Sequence, residues 1–297
     1  LSIVACVALG CTWIHPTEPL LPTPPDVQLP VFEEIPVAFA HRWDRAVAHH
    51  LTGGAAIDVD GDGRHEIFVG GGEGQDDALL RLEDGHLVDR IAGTGLSSRA
   101  ATYGATAIDL DEDGRVDLVV ARNDGVTFHR NGGGRFGARR LPVPLPENSV
   151  PLAVTFGDVD GDGDVDLYVS VFVDFPHFVA ATFNVPNHAK ANRLLRNDGD
   201  LHFTDITTAV TATLQNTFTS AFVDLDGDAR PDLVVAQNTG EVELLRNLGG
   251  GAFERVPFPS GYGFWMGVAV GDADADGDPD LLFTNVGDGF PGFLAKG

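Results

Sequence analysis

Apolar residues in this chain come in runs of three or four, and many runs end at a cluster of Asp and Gly. Five such runs are Ala55–Ile57, Ala105–Ile108, Ala153–Phe156, Ser220–Val223 and Gly267–Val270. Across an acidic stretch each is answered by a second run: Ile67–Val69, Leu118–Val120, Leu167–Val169, Leu233–Val235 and Leu281–Phe283. Runs this short, rich in Val, Leu, Ile and Phe and bounded by turn residues, predict β-strands. A third element follows, as in Arg193–Arg196 before Asn197-Asp198-Gly199 or Glu243–Arg246 before Asn247. A fourth follows that turn, as in Phe203–Ile206 and Phe253–Val256. The pattern therefore gives four short strands per period, joined by Gly/Asn/Asp turns.

The first aspartates of the acidic stretches are spaced by 51, 49, 66 and 48 residues. A four-stranded unit of about 50 residues is the size of a propeller blade. One such sheet cannot bury both faces, and stacking on its neighbours buries them. The expected fold is all-β, a β-propeller of four-stranded blades with five repeats visible. Phe32–Ile35 matches a fourth-strand element and Phe293–Lys296 a third. That phase fits a ring of five blades closed with an offset, and equally part of a larger ring. The long spacing holds an insertion at Asp174–Lys190, with Phe175, Phe178 and Phe183, expected as a surface excursion of the third blade that carries binding.

The acidic stretches share one spelling. Counting from its first Asp, each carries acid at positions 1, 3, 5 and 9. Position 7 is offered as a backbone carbonyl. These are Asp58, Asp60, Asp62, Arg64 and Glu66; Asp109, Asp111, Asp113, Arg115 and Asp117; Asp158, Asp160, Asp162, Asp164 and Asp166; Asp224, Asp226, Asp228, Arg230 and Asp232; and Asp272, Asp274, Asp276, Asp278 and Asp280. Hard oxygen ligands in this number and charge suit Ca²⁺, up to five ions, better than Mg²⁺ or Zn²⁺. Glycine at position 6 permits a sharp turn, and Ala229 replaces it in the fourth loop, which is expected to be strained or weaker. An EF-hand would need Glu at position 12, where Val69, Val120, Val169, Val235 and Phe283 stand. Plain Asp/Gly hairpin turns would leave four carboxylates in nine residues to repel one another, five times over.

Charge fits the same picture. Forty-four acidic residues against nineteen basic ones give −25, and five divalent ions would bring this to −15. No Lys/Arg-rich segment is present, which excludes nucleic acid as a partner.

The loops and flanks resemble the FG-GAP/VCBS repeats of integrin-α-like propellers. Gly267–Asp272 with Asp280–Val286, and Asp166–Val169 with Asn192–Asn197 and Phe203–Thr207, resemble bacterial relatives of cartilage acidic protein 1. The resemblance covers about residues 32–297 and implies the propeller fold and calcium, with little about a ligand. Such relatives often carry a C-terminal ASPIC/UnbV domain; residues 1–297 contain none, and a longer parent chain is expected.

Before the repeats, Ser2–Gly10 is apolar and too short to span a bilayer, like the end of a signal peptide. Ala8-Leu9-Gly10-Cys11 resembles a bacterial lipobox, although Ala8 stands where Leu is preferred. Residues 1–11 are therefore read as a signal/lipobox segment, 12–31 as a Pro-rich tether and 32–297 as the propeller. The chain is expected to be exported to the outer surface or periplasm, either with a membrane link through a lipid on Cys11 or plainly secreted after cleavage of an ordinary signal peptide. Cys6 and Cys11 are its two cysteines, so no disulfide framework holds the fold.

No Gly-x-Ser-x-Gly, His-Glu-x-x-His or P-loop is found. Gly132–Gly137 fits G-x-G-x-x-G in letters, but it falls between two strand elements with no helix after it. The His49-His50 pair is read as a surface or blade-edge pair. The reading favoured is a monomeric surface-binding or adhesion module with structural calcium and a protein or glycan ligand on the cell exterior. The alternatives are a polysaccharide-acting enzyme and a scaffold domain of a larger protein.

Overall fold

The computed structural model describes residues 34–42, 48–178, 190–213, 215–238, 240–286 and 292–295, the last for its backbone alone. The segments expected as signal and tether, Phe32, most of the Asp174–Lys190 insertion and Lys296 lie outside the described residues.

Five antiparallel sheets follow one another along the chain, each a meander in which sequence order is spatial order. The first holds β1 (Gly54–Ile57), β2 (Glu66–Val69), β3 (Ala78–Glu83) and β4 (His86–Asp89). The second holds β5 (Thr102–Ile108), β6 (Asp117–Arg122), β7 (Gly125–Asn131) and β8 (Phe136–Arg140). The third holds β9 (Ser149–Gly157), β10 (Asp166–Val173), β11 (Arg193–Asn197) and β12 (Phe203–Asp205). The fourth holds β13 (Thr217–Val223), β14 (Asp232–Gln237), β15 (Glu243–Gly249) and β16 (Ala252–Val256). The fifth shows three strands, β17 (Trp265–Gly271), β18 (Asp280–Asn285) and β19 (Gly292–Ala295).

These sheets are blades of a β-propeller, and the core lies between them. Ile57, Phe68 and Leu79 of the first blade pack on Leu118, Val120 and Phe136 of the second. Val119, Ala121 and Phe128 of the second pack on Leu167, Val169 and Leu195 of the third. The third meets the fourth through Tyr168, Leu194, Leu233 and Val235, and the fourth meets the fifth through Val234, Ala236, Trp265 and Phe283. The middle strands β6, β10 and β14 are therefore buried at every residue, on both faces. Among the described residues, Ile67 and Leu82 are exposed on the first blade, and Val270 and Leu282 on the fifth. Glu34 and Ile35 belong to no strand, so the fourth-strand element expected at 32–35 is not formed where it is described.

The first strands of successive blades approach closely. A Cβ on Gly104 would lie 2.3 Å from the Leu152 carbonyl oxygen, so only glycine fits there. Beside this contact a buried polar network ties the first blade to the second. Arg122 donates to Asp77 (2.9 Å), to Thr102 Oγ1 (3.1 Å) and to His129 Nε2 (3.1 Å). Asp77 also accepts from Thr102 Oγ1 (2.9 Å) and from the Gly71 N–H (2.8 Å). Burial pushes the Asp77 carboxyl up, and the Arg122 guanidinium opposes that shift. Burial, helped by Arg122, brings His129 down to about 4, so its neutral ring can accept from the guanidinium.

Removing one partner of a buried ion pair strands the other charge in low dielectric. Arg122→Met should therefore lower stability by about 3–5 kcal/mol. Urea denaturation measures it, and a loss below about 1 kcal/mol, as surface pairs give, would show that the pair is solvated.

Candidate metal centres

Each acidic loop joins the first strand of a blade to its second, so all lie at the same end of their blades. The strand that leaves the loop begins on the position-9 acid: Glu66, Asp117, Asp166, Asp232 and Asp280 are the first residues of β2, β6, β10, β14 and β18. These acids are buried. One oxygen accepts the backbone N–H of loop position 2: Val59 at 3.2 Å, Leu110 at 3.2 Å, Val159 at 2.7 Å, Leu225 at 3.2 Å and Ala273 at 2.7 Å. In the second, third and fourth blades the other oxygen accepts from the Asn that closes the third strand or its turn, Asn131 at 2.6 Å, Asn197 at 2.8 Å and Asn247 at 2.8 Å.

The position-1 carboxylate organises the turn. Asp58 accepts from the N–H groups of Gly61 (2.8 Å), Asp62 (3.2 Å) and Gly63 (2.8 Å), and the Gly63 bond above all holds its carboxyl below the usual range. The position-6 N–H repeats this bond from Gly114 (2.9 Å), Gly163 (3.1 Å), Ala229 (2.8 Å) and Gly277 (3.1 Å). Ala229 thus closes its loop like a glycine, but at φ +65°, where a Cβ is strained. Position 4 is left-handed too, including Glu112 and Ala275 at φ 56° and 62°. Position-7 N–H groups donate to the position-5 carboxylate, as from Arg64 to Asp62 (2.8 Å) and Asp164 to Asp162 (3.0 Å).

This folding converges three carboxylates per loop, with ligand atoms within 4.8 Å of one another. The sets are Asp58, Asp60 and Asp62; Asp109, Asp111 and Asp117; Asp158, Asp160 and Asp166; Asp224, Asp226 and Asp232; and Asp272, Asp274 and Asp276. Positions 1 and 3 enter every set. Position 9 completes the middle three and position 5 the two outer ones.

Their electrostatics is that of an underneutralised site. Burial pushes Asp166 up to about 6, and Asp117 and Asp232 upward too. Arginines on the third strands, not singled out from the sequence, partly offset the charge. Arg81 meets Asp60 (2.9 Å), Asp62 and Glu66 (3.3 Å), Arg130 meets Asp111 and Asp113, and Arg196 lies 3.9 Å from Asp160. Arg246 of the fourth blade pairs with Glu254 instead. Their signal in the sequence is an Arg near the end of the third strand, as in Leu79-Leu80-Arg81, His129-Arg130-Asn131, Leu195-Arg196-Asn197 and Leu245-Arg246-Asn247. The donor set fits a hard divalent cation, and Asp111 Oδ1 is buried within it without a hydrogen-bond partner.

Between the second and third blades, beside these loops, lies a polar cleft of about 430 Å³. Its walls carry Asp111, Glu112, Arg130, Asp164, Asn197 and Asp200. The Gly132–Gly134 segment is the turn between β7 and β8, with no helix after it. Of the His49-His50 pair, read from the sequence as a surface or blade-edge pair, His50 lies at the surface and His49 is buried, 6% exposed, where the chain enters the first blade.

The blades and their acidic loops define a repeat propeller with one carboxylate cluster per blade. The family model described as FG-GAP-like repeat matches residues 58–120, 109–169, 178–235 and 224–283, and the chain belongs to that family. No curated protein matches it. Among solved structures, a lectin of Agrocybe aegerita described as recognising non-reducing terminal N-acetylglucosamine is similar, with a TM-score of 0.51 and 17% identity. The alignment covers 79% of this chain and 61% of the lectin, so the chain spans about three fifths of that protein. The V. cholerae biofilm matrix protein Bap1 aligns with a TM-score of 0.43 and 15% identity, covering 80% of this chain and 35% of Bap1. The Photorhabdus luminescens Tc holotoxin pore aligns with a TM-score of 0.43 and 20% identity, covering 82% of this chain and 11% of the other.

Two outcomes follow from the loops. Ala229→Gly relieves a left-handed Cβ and should stabilise the fold by about 0.5–1 kcal/mol, after the entropy glycine adds to the unfolded chain. A shift of the urea midpoint to lower concentration would show that Ala229 is unstrained. The second outcome concerns pH. The raised Asp166 pKa adds stability to the metal-free fold that is fully present below the ordinary carboxylate pKa and lost as pH rises through about 6. Protons and a cation compete for that carboxylate. The melting-temperature gain from Ca²⁺ should therefore be smaller at pH 5 than at pH 7.5, and equal gains would exclude the competition.

Proposed function

We propose that this chain is an exported, calcium-stabilised propeller that binds a glycan or a protein outside the cell. The observation that carries the reading is the clustering of three carboxylates in each of five loops at one end of the blades. One cation per loop would be held by the carboxylates of positions 1 and 3 with those of position 5 or 9. It would neutralise the mutual repulsion and fix the turn between first and second strands. Its contribution is structural, and the ligand is met elsewhere.

The polar cleft between the second and third blades supports a hydroxyl-rich ligand. It presents carboxylate acceptors and the donors of Arg130 and Asn197 side by side. The similar Agrocybe aegerita lectin, described as recognising non-reducing terminal N-acetylglucosamine, supports a glycan as the ligand. Export rests on the apolar Ser2–Gly10 segment, and lipid anchoring on Cys11.

The test is differential scanning fluorimetry in EDTA and in millimolar Ca²⁺, followed by a glycan array in both. Binding to the folded state alone adds about 2.7 kcal/mol per site at a hundredfold excess over Kd. Calcium should raise Tm by several degrees. Glycan binding should weaken in Glu112→Ala/Asp200→Ala, which leaves the position 1, 3, 5 and 9 carboxylates intact. No thermal response would exclude structural calcium, and unchanged glycan binding in the double variant would move the ligand away from this cleft.

A further inference from the structure

At the end of the blades away from the acidic loops lies a second cavity of about 480 Å³, and its walls are almost entirely apolar. Phe172, Phe175 and Phe178 come from the third blade and its insertion, Phe218 from the fourth, and Phe264 and Met266 from the fifth. The residues that lead into the first blade, His49 to Leu51, line it as well. The cavity thus gathers side chains from four blades.

Its wall is built and held. His49 Nε2 lies 2.8 Å from the Val173 carbonyl, which fixes the ring. Around that ring Phe172, Phe175 and Phe178 stand edge-on, each with its centroid 5.3 Å away. Phe172 in turn packs against Phe218 at 5.1 Å. Edge-to-face aromatic packing of this kind sets ring positions before any ligand arrives. Phe175 and Phe178 belong to the short helical turn Phe175–His177 and its cap, the described start of the insertion between the second and third strands of the third blade.

The wall chemistry selects the occupant. Sugar hydroxyls would lose their water against Phe and Met side chains and find few partners. Asn238 supplies a polar point: it is 1% exposed, and its Nδ2 has no hydrogen-bond partner. A volume of about 480 Å³ falls within the range of sites that enclose a small molecule.

We propose that this cavity is a binding site for a small apolar ligand, an aromatic ring or short acyl chain bearing one oxygen acceptor at its end. The site is separate from the calcium loops and from the polar cleft. It adds a hydrophobic specificity to the module that does not depend on the glycan reading.

The test is a fluorescence titration of the full chain, loaded with Ca²⁺, with N-phenylnaphthylamine as the uncharged probe. Saturable binding of one probe per chain is expected. Displacement by octanoate would assign an acyl ligand, and displacement by p-cresol an aromatic one. Met266→Trp fills the cavity from a partly exposed position and should weaken the probe at least about tenfold with Tm unchanged. Phe264→Gln should act in the same direction and guards against a folding defect in the first variant. An unsaturable signal, equal binding in both variants, or displacement by neither competitor would overturn the assignment. So would a concentration-dependent dimer that Phe264→Gln dissolves, since a second copy would then be the occupant.

Discussion

A carboxylate at the first residue of each second strand holds a blade together. Asp166 shows the arrangement best. One oxygen anchors the N–H of Val159 in the loop behind it, and the other anchors Asn197 at the end of the third strand. Three consecutive strands are thereby registered by one buried group. That group is costly to bury as an anion, and its pKa rises for that reason. The second, third and fourth blades accept this cost, positions 1 and 3 lie beside the buried carboxylate there, and the resulting negative site is one a divalent cation can neutralise.

The arginines of the third strands qualify this picture. Arg81 and Arg130 already reach across to the loop carboxylates. Their guanidinium groups reduce the repulsion in the first two loops, whereas Arg246 of the fourth blade is engaged by Glu254. The loops are therefore alike in spelling and unlike in charge balance. A cation entering the first two meets a resident positive charge, and in the fourth it meets none from that position.

Much of this was legible in the residues. The strands flanking each loop follow from paired short apolar runs, and repetition fixed their place in a blade. Burial of β6, β10 and β14 on both faces explains why those runs are continuous rather than alternating. Other features were hidden because they depend on partners distant in sequence. His49 reads as a polar residue beside another histidine, yet it is buried among three phenylalanines of the third blade. The left-handed position 4 is signalled by glycine in Gly61, Gly161 and Gly227, but Glu112 and Ala275 mask the rule. The arginines were visible as part of a strand motif, and their charge role needed the register.

The asparagine that closes the third strand or its turn has a reach beyond its own blade. Asn131 donates to the Val59 carbonyl of the first blade, and Asn247 to the Val159 carbonyl of the third. The first and third loops are thus each clasped from the blade that follows, and order is shared between neighbours. In such a row the energy is a sum of nearest-neighbour couplings. Loosening the second blade would therefore loosen the first loop through Val59, and loosening the fourth would loosen the third loop through Val159.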